Sequence, residues 1–389
     1  MAPLIAPFSG FIPSSDYAPR IVGPPSSMLT PTQKAASRDD ELSFRGQVGR
    51  GARAPYAQAM RWLDRCQRLG ALHALEACVI VHRLTRGDFS STGLLADVSL
   101  DAYDAGLVKR HEATIAKTQR KMLDYMQSTR IFGNPVALAH RDQPDLTSAL
   151  DLHTQRAPDT AFVAIDGAHH ALWVVTGDQA LRICDSFDAA LYITDGHHRL
   201  AAAAALATVE GTLRPQLPAA LFAESQLKLG AYSRVIDDEQ LTGSQVLLSL
   251  RDEFELVESD QEVPRPSGPR QIGVRVDGRS FMLTIPEALV PADIYRRLDV
   301  NLLQDLVLQP VFGVTDPRTD PRLSFVADTD NDSHDVDAAT AWFLPYPTSI
   351  PDVMAVADAD LTMPPKSTYF LPKVPSGLLF RPVASTPDA

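Results

Sequence analysis

The spacing of apolar and polar residues predicts interleaved helices and strands without an internal repeat. Apolar residues recur at helical spacing in several segments. These segments predict helices at 56–69, 111–129, 200–209, 244–253 and 301–308. Short runs rich in β-branched and aromatic residues predict strands. These runs lie at 77–81, 94–100, 135–139, 161–165, 171–175, 191–194, 271–276, 280–284, 323–326 and 341–344.

The order of these elements predicts an α+β protein with a mixed sheet, because strands and helices interleave irregularly. Asp166-Gly167 between two strand-like runs indicates a hairpin. Residues 1–54 are rich in Pro, Ser and Gly and are predicted to form short strands and loops around the main body. We expect a core at 55–225 and a C-terminal α+β subdomain at 226–389 that closes with a segment rich in Pro and Lys.

Composition narrows the class of protein. The chain has 389 residues, of which 45% are hydrophobic, and a net charge of -12. This acidity disfavours nucleic acid as a partner. Three dispersed cysteines form no disulfide framework, so a reducing compartment is expected. No apolar run is long enough to span a membrane, and the start of the chain does not resemble a signal peptide. These features predict a cytoplasmic protein.

The segment Thr194 to Arg199 is the clearest chemical signal. Asp195-Gly196 turns the chain from a strand into an alanine-rich helix, whose first N–H groups and positive dipole end attract anions. Gly196 permits close approach to a ligand. Arg199 offers donors for a phosphate, and His197 and His198 can donate or relay a proton. Asp195 is a candidate metal ligand or a helix cap. An ordinary turn and cap with structural histidines is the alternative interpretation.

The whole chain resembles the family catalogued as domain of unknown function 1015. The central motif is ITDGHHRLAAAAAL. Further blocks in the same order are PFSGFIP, IVGPP, GLVKRHEAT and MPPKSTYFLPKVPSGLLF, over residues 4 to 382. That family is grouped with the ParB/sulfiredoxin-like superfamily, which binds nucleotide phosphates. Free-serine kinases of this superfamily carry a similar Asp-Gly-His-His loop. The resemblance therefore implies a ParB/sulfiredoxin-like core, ATP or ADP as cofactor, and phosphoryl transfer.

The sequence departs from the family pattern at two places. Ser26-Ser27 stand where the family has Tyr and Asp after two prolines, which removes an acid and an aromatic ring. Ser233 stands where the family has His in a His-Arg-Val stretch. If these positions contact substrate, we expect the protein to have a different substrate or to lack activity.

Two further groups carry candidate chemistry. The block that follows Lys109 holds three candidate nucleotide ligands, which are Arg110, His111 and Thr114. Glu112 in the same block is a candidate base or Mg²⁺ ligand. A glutamate favoured by a helix dipole is the alternative for Glu112. Lys366 lies in a proline-fixed segment and could reach phosphates as a point charge or belong to a closing strand. His169-His170 is interpreted as structural.

The preferred hypothesis is a nucleotide- and Mg²⁺-dependent kinase for a small hydroxylated metabolite, with free L-serine as the first acceptor to test. Glu112, His198 and Arg199 are the predicted catalytic residues, and Asp195 and Glu112 are the predicted metal ligands. A nonenzymatic nucleotide-binding regulator of the ParB-like superfamily is the alternative. No Walker A sequence and no nucleophile elbow occur in the chain. The expected partners are a nucleotide and a metabolite, with a homodimer left open, and neither nucleic acid nor a membrane.

Overall fold

A computed structural model describes residues 3–48, 56–212, 215–327 and 339–382. The chain forms two compact units, Met1–Leu227 with Pro372–Ala389, and Lys228–Leu371. The chain therefore returns to the first unit after completing the second. The predicted division at residues 54 and 225 stays a prediction.

The described strands are numbered in chain order. They are β1 Ile5–Ala6, β2 Phe8–Pro13, β3 Leu72–Arg86, β4 Phe89–Ser99, β5 Val108–Lys109, β6 Ile131–Phe132, β7 Val136–His140, β8 Thr160–Val163, β9 His169–Thr176, β10 Leu191–Asp195, β11 Gln216–Ala223, β12 Lys228–Gly230, β13 Tyr232–Ile236, β14 Glu255–Ser259, β15 Gln271–Val276, β16 Arg279–Thr284, β17 Leu323–Ala327, β18 Ala341–Pro345, β19 Tyr369–Leu371 and β20 Arg381–Pro382.

The described α-helices are numbered in the same way. They are α1 Ala18–Ile21, α2 Pro31–Asp39, α3 Phe44–Gln47, α4 Tyr56–Arg68, α5 Leu100–Asp104, α6 Ala116–Thr129, α7 Pro144–His153, α8 Gly177–Asp185, α9 His197–Glu210, α10 Gly243–Glu253, α11 Asp299–Leu303, α12 Gln309–Phe312 and α13 Ile350–Asp358.

The first unit contains a mixed sheet, as the sequence predicts. In its described part the strands run in the order β5-β10-β7-β11-β4-β3-β9-β8, with β1 on β4 and β2 on β3. The pairs β5–β10 and β7–β11 are parallel, and the other pairs are antiparallel. Valine, leucine and isoleucine side chains of the central strands pack against α6 and α9 in one buried core. The expected α+β class with a mixed sheet is confirmed.

The N-terminal segment and the end of the described chain pack together in this unit. The rings of Phe44, Trp62 and Phe380 meet edge to face, with centroids 5.0–5.5 Å apart. Phe11 and Phe380 exchange backbone hydrogen bonds of 2.8 Å. The expectation of only strands and loops before residue 54 is wrong, because a capping box between Thr30 and Gln33 starts α2. Residues 49–54 lie outside the described part of the chain.

The second unit is built on an antiparallel sheet in the order β14-β16-β15-β18-β13-β17. Helix α10 and the helical stretch after Asp299 pack against it in a separate core. The predicted helix at 301–308 is longer, because α11 continues through a π-helical turn at Gln304–Leu308 into α12. No helix in the described ranges is both long and apolar enough to cross a membrane.

Candidate functional site

Two loops meet at one edge of the first sheet because the strands before them are parallel neighbours. Strand β5 pairs with β10 so that Val108 lies beside Leu191 and Lys109 beside Tyr192. Both strands end at the same edge, where ligands of open α/β sheets commonly bind. The loop from Arg110 and the turn from Asp195 therefore emerge side by side. Sequence blocks about 85 residues apart are joined into one candidate site by this pairing.

Helix α9 begins at this edge without a side-chain cap. Gly196 has a φ of 102°, which an L side chain rarely adopts, and a Cβ there would lie 2.9 Å from Val136 Cγ1. The first backbone hydrogen bond within the helix joins the Leu200 N–H to the Gly196 carbonyl. Gly196, the residue at the N-cap position, has no side chain to cap the helix. An uncapped helix N-terminus leaves backbone N–H groups and a partial positive charge for an anion.

His197 is buried at the first position of this helix. Its Nδ1 lies 3.7 Å from Glu112 Oε2, and its ring meets the His111 ring edge to face with centroids 4.8 Å apart. Burial, with the His111 ring beside it, holds the pKa of His197 well below its ordinary value. Its Nε2 is buried and has no hydrogen-bond partner in the described structure. His197 is therefore a neutral imidazole with one nitrogen uncommitted.

His111 is also held neutral. It is 1% exposed, and burial lowers its pKa to about 4. Two neutral imidazoles beside Glu112 leave that carboxylate without a cationic partner from these rings. Both rings are buried and uncharged, and such a low-dielectric surrounding strengthens electrostatic interactions at the site.

Of the predicted catalytic residues, Glu112 is the one least engaged by contacts with the described residues. Its side chain is 37% exposed, and it makes no hydrogen bond within the described ranges. Arg110 beside it is exposed, and Thr114 is half-buried. The structure brings the segment from Arg110 to Thr114 next to the turn after Asp195, and the roles of these residues stay predictions.

His198 is tied to the backbone of the neighbouring loop. Its Nε2 accepts the Ile115 N–H at 2.9 Å, so that nitrogen carries no proton. This bond explains why the prediction of a helix starting at residue 111 is wrong. Ile115 is extended, and α6 begins only at Ala116. Glu112 therefore precedes the helix, and the dipole explanation for it does not apply.

Arg199 folds back over the turn. Its Nη1 donates to the carbonyls of Asn134 and Pro135 at 3.1 and 2.6 Å, and its Nη2 donates to Asp195 Oδ2. Its side chain is only 12% exposed. These contacts join the start of β7 to the start of α9. They favour a positioning role, and the predicted phosphate contact of Arg199 stays a prediction.

The remaining predicted residues are placed as follows. Asp195 is engaged by Arg199, which reduces its availability to a metal ion. No group of three or more His, Cys, Asp or Glu side chains in the described parts of the chain is arranged to hold a metal. Lys366 belongs to the second unit, where its ammonium lies over the Tyr232 ring.

Sequence reasoning missed three backbone groups of the site. The carbonyls of Asn134 and Pro135 and the N–H of Ile115 fix Arg199 and His198. Gly133-Asn134-Pro135 is a turn signal that could have marked the first two. The Ile115 contact depends on pairing between distant strands, so no local pattern reveals it.

A comparison with models of protein families matches residues 5–301 to "Protein of unknown function (DUF1015)". The chain belongs to this family. The match includes both loops of the site. A search of curated proteins finds no match.

Solved structures resemble the chain more distantly. A free serine kinase in complex with AMP is 14% identical, with a TM-score of 0.34, over 71% of this chain and 87% of that chain. SbnI from Staphylococcus aureus, truncated at its C-terminus, is 12% identical with a TM-score of 0.39, over 71% and 82%. A conserved hypothetical protein from Pyrococcus furiosus is 15% identical with a TM-score of 0.35, over 72% and 93%. These values describe a likeness and establish no activity.

Proposed function

We propose that this protein is a nucleotide-dependent kinase for a small hydroxylated metabolite. One observation carries the proposal. Glu112, partly exposed and without a hydrogen bond to any described residue, has its Oε2 3.7 Å from Nδ1 of the buried His197 at the start of α9. This arrangement supports the proposal, because a carboxylate able to act as a base then lies next to a helix start that attracts phosphate. Phosphoryl transfer needs mainly such positioning and electrostatic stabilisation.

The nucleotide phosphates bind the N–H groups at the start of α9, and Gly196 allows the close approach. Neutral His197, buried at the first position of α9, stays a predicted phosphate ligand. Arg110, exposed beside the loop, adds positive charge. His198 and Arg199 hold the two loops and the start of β7 in register, so they act as positioning residues.

In the transfer step, the acceptor hydroxyl oxygen attacks the terminal phosphorus of ATP or ADP. Glu112 takes the hydroxyl proton as the new phosphorus–oxygen bond forms. The bond from that phosphorus to the bridging oxygen breaks, and the shortened nucleotide leaves with the electron pair. The products are the phosphate ester and ADP or AMP.

Magnesium fits this site only together with the nucleotide. Mg²⁺ usually takes one or two protein carboxylates and completes its shell with phosphates and water. Glu112 has no hydrogen-bonding commitment in the described structure, whereas Asp195 is held by Arg199. The ion would supply neutralisation of phosphate charge, and Glu112 would be its first protein ligand, with Asp195 second.

We propose a small amino acid with a hydroxyl as the acceptor, and L-serine as the first to test, on the resemblance of the Asp195–Arg199 loop to that of free-serine kinases. A zwitterion needs a cation for its carboxylate and an acid for its ammonium. The loop from Arg110 to Glu112 offers both signs. Ser26-Ser27, at the family's Tyr-Asp position, form a 3-10 turn in this chain and give the acceptor no acid there.

The test is to incubate the purified protein with Mg²⁺, ATP or ADP, and a panel of hydroxylated metabolites that includes L-serine. Nucleotide consumption is measured together with mass spectrometry of the phosphate esters. We expect nucleotide loss that depends on one acceptor. Phosphoserine identifies serine as that acceptor, and another ester keeps the kinase but rejects serine.

The alternative function, a nonenzymatic nucleotide-binding regulator, predicts a different result of this test. Tight nucleotide binding without consumption in the presence of any acceptor would favour it. The engagement of Arg199 and His198 by backbone groups is the observation on its side, since a switch needs loops whose contacts a nucleotide can rearrange. Absence of nucleotide binding would reject both hypotheses.

A further inference from the structure

The second unit buries a positive charge on strand β13. Arg234 is 3% exposed, and among the described residues it forms no ion pair with a carboxylate. Its Nη1 donates to the Tyr232 carbonyl at 2.6 Å, and its guanidinium carbon lies 5.4 Å from the centroid of the Phe325 ring. A buried charge costs several kcal/mol unless it is paired. One carbonyl and one ring face compensate only part of that cost.

Arg234 stays charged in this environment. Burial lowers its pKa to about 10, which still leaves the guanidinium protonated near neutral pH. The other two nitrogens, Nε and Nη2, have no protein partner in the described part of the unit. These two nitrogens are the hydrogen-bond donors that Arg234 offers to a ligand.

A second cation lies close to the same strand. Lys366 Nζ is 5.3 Å from the centroid of the Tyr232 ring, and Tyr232 is two residues before Arg234 on the same face of β13. Pairing of β12 with β19 places Gly230 beside Tyr369 and brings the Lys366 segment to this strand. The Tyr232 and Tyr369 rings meet edge to face at 5.5 Å.

The backbone at Lys366 adopts a conformation that is unfavourable for a non-glycine residue. Its φ is 55°, in the left-handed region that costs a non-glycine residue free energy. The Ser367 hydroxyl donates to the Pro364 carbonyl at 2.8 Å and closes the turn. Lys366 is exposed and, within the described ranges, has no carboxylate partner. Strained non-glycine residues are often found at ligand sites.

We propose that Arg234 and Lys366 form an oxyanion-binding site of the second unit, for the phosphate or carboxylate group of a small metabolite. Arg234 offers Nε and Nη2 as a fork for two oxygens, and Lys366 adds a point charge. The Lys366 ammonium lies over the Tyr232 ring, and strand alternation puts Tyr232 on the same face of β13 as Arg234. This proposal rests on the geometry of the second unit and does not depend on the proposed kinase activity.

The test is calorimetric titration of the full chain with inorganic phosphate and, separately, with acetate. We expect saturable binding of one of the two, and the arm that binds tells phosphate from carboxylate. Lys366→Met should weaken it roughly tenfold or more, as loss of a hydrogen bond to a charged group does. Arg234→Lys should weaken it similarly, since lysine lacks the fork. Arg251→Met is the matched control, because Arg251 also lies over a phenylalanine ring in this unit.

The loop of the first unit can also bind phosphate, so the titration is repeated in a Gly196→Ala variant. Binding that survives Gly196→Ala and is weakened by Lys366→Met belongs to the second unit. Retained circular dichroism and unfolding midpoint show that Lys366→Met is folded. Lack of binding of either anion, or affinity unchanged in both Lys366→Met and Arg234→Lys, would overturn the proposal and leave Arg234 as a structural cation.

Discussion

The imidazole Nε2 of His198 accepts the backbone N–H of Ile115 at 2.9 Å, across the two loops of the candidate site. The bond requires a neutral His198 with its proton on Nδ1. It also holds Ile115 extended, so that the Arg110–Thr114 segment stays outside α6. Glu112, which lies beside His197, belongs to the same segment. His198, a predicted catalytic residue, is therefore bonded to the segment that carries Glu112, another predicted catalytic residue.

Replacing His198 with Phe should destabilise the protein and disturb the site. The Ile115 N–H would lose its acceptor, and because Ile115 is exposed the loss is that of a net hydrogen bond, about 0.5–1.5 kcal/mol. Urea unfolding of the variant measures this loss. His169→Phe is the control, since His169 is exposed in β9. Equal stability of wild type and His198→Phe would mean that the bond contributes nothing.

Gly196→Ala should cost more than a glycine replacement that meets only backbone strain. At Gly196 the new Cβ would lie 2.9 Å from Val136 Cγ1 and 3.0 Å from Arg199 Nε. At Gly87, with a φ of 53°, a Cβ meets nothing within 4 Å. We expect Gly196→Ala to lower the free energy of unfolding by more than about 1 kcal/mol beyond the loss caused by Gly87→Ala, as overpacking does. Equal losses would show that the turn has room to adjust.

The pair Arg381–Asp97 should be important for the stability of the first unit. Arg381 Nη1 lies 2.8 Å from Asp97 Oδ2, and Asp97 is 1% exposed. Burial raises the pKa of Asp97 to about 7, although Arg381 opposes the shift. Arg381→Met leaves a buried carboxylate without its partner, at a cost of about 3–5 kcal/mol.

That cost should be larger at about pH 8 than at about pH 6. Without Arg381 the folded pKa of Asp97 rises further above its unfolded value, so protonation at lower pH relieves the variant. Urea unfolding of wild type and Arg381→Met at both pH values gives the difference. A cost that is the same at both pH values would contradict the argument.

Acid should weaken the fold through His111. Its folded pKa of about 4 lies below the unfolded value, so the unfolded chain takes up a proton first as the pH falls. The stabilisation is complete above about pH 6.5 and decreases toward about pH 4. From about pH 7.5 to about pH 5, His111 should account for about 2 kcal/mol of lost stability. In urea unfolding, the free energy of unfolding of His111→Gln should change by about 2 kcal/mol less than that of wild type between these pH values. An equal change in both proteins would exclude this role.

Local patterns predicted many of the elements but not how they meet. The strand at 271–276 and the helix of α10 follow from periodicity and capping, and the alanine-rich run predicts α9. Helix α6 starts late because a histidine 83 residues away binds Ile115. Arg234 was seen only as part of the family's His-Arg-Val stretch, and its burial could not be predicted because it depends on pairing with β17 and β18. The resemblance selected both loops of the site, and their meeting depends on the parallel β5–β10 register.

The most direct test of the central claim compares Glu112→Gln with wild type for nucleotide affinity and for turnover. Glu112→Gln keeps the shape of the side chain and removes the base. The account predicts similar nucleotide affinity by calorimetry in the absence of Mg²⁺, and a kcat lowered by roughly 100-fold or more, as loss of a general base does. Glu76→Gln, on the exposed part of β3, should leave both unchanged. A near-normal kcat in Glu112→Gln would contradict the account.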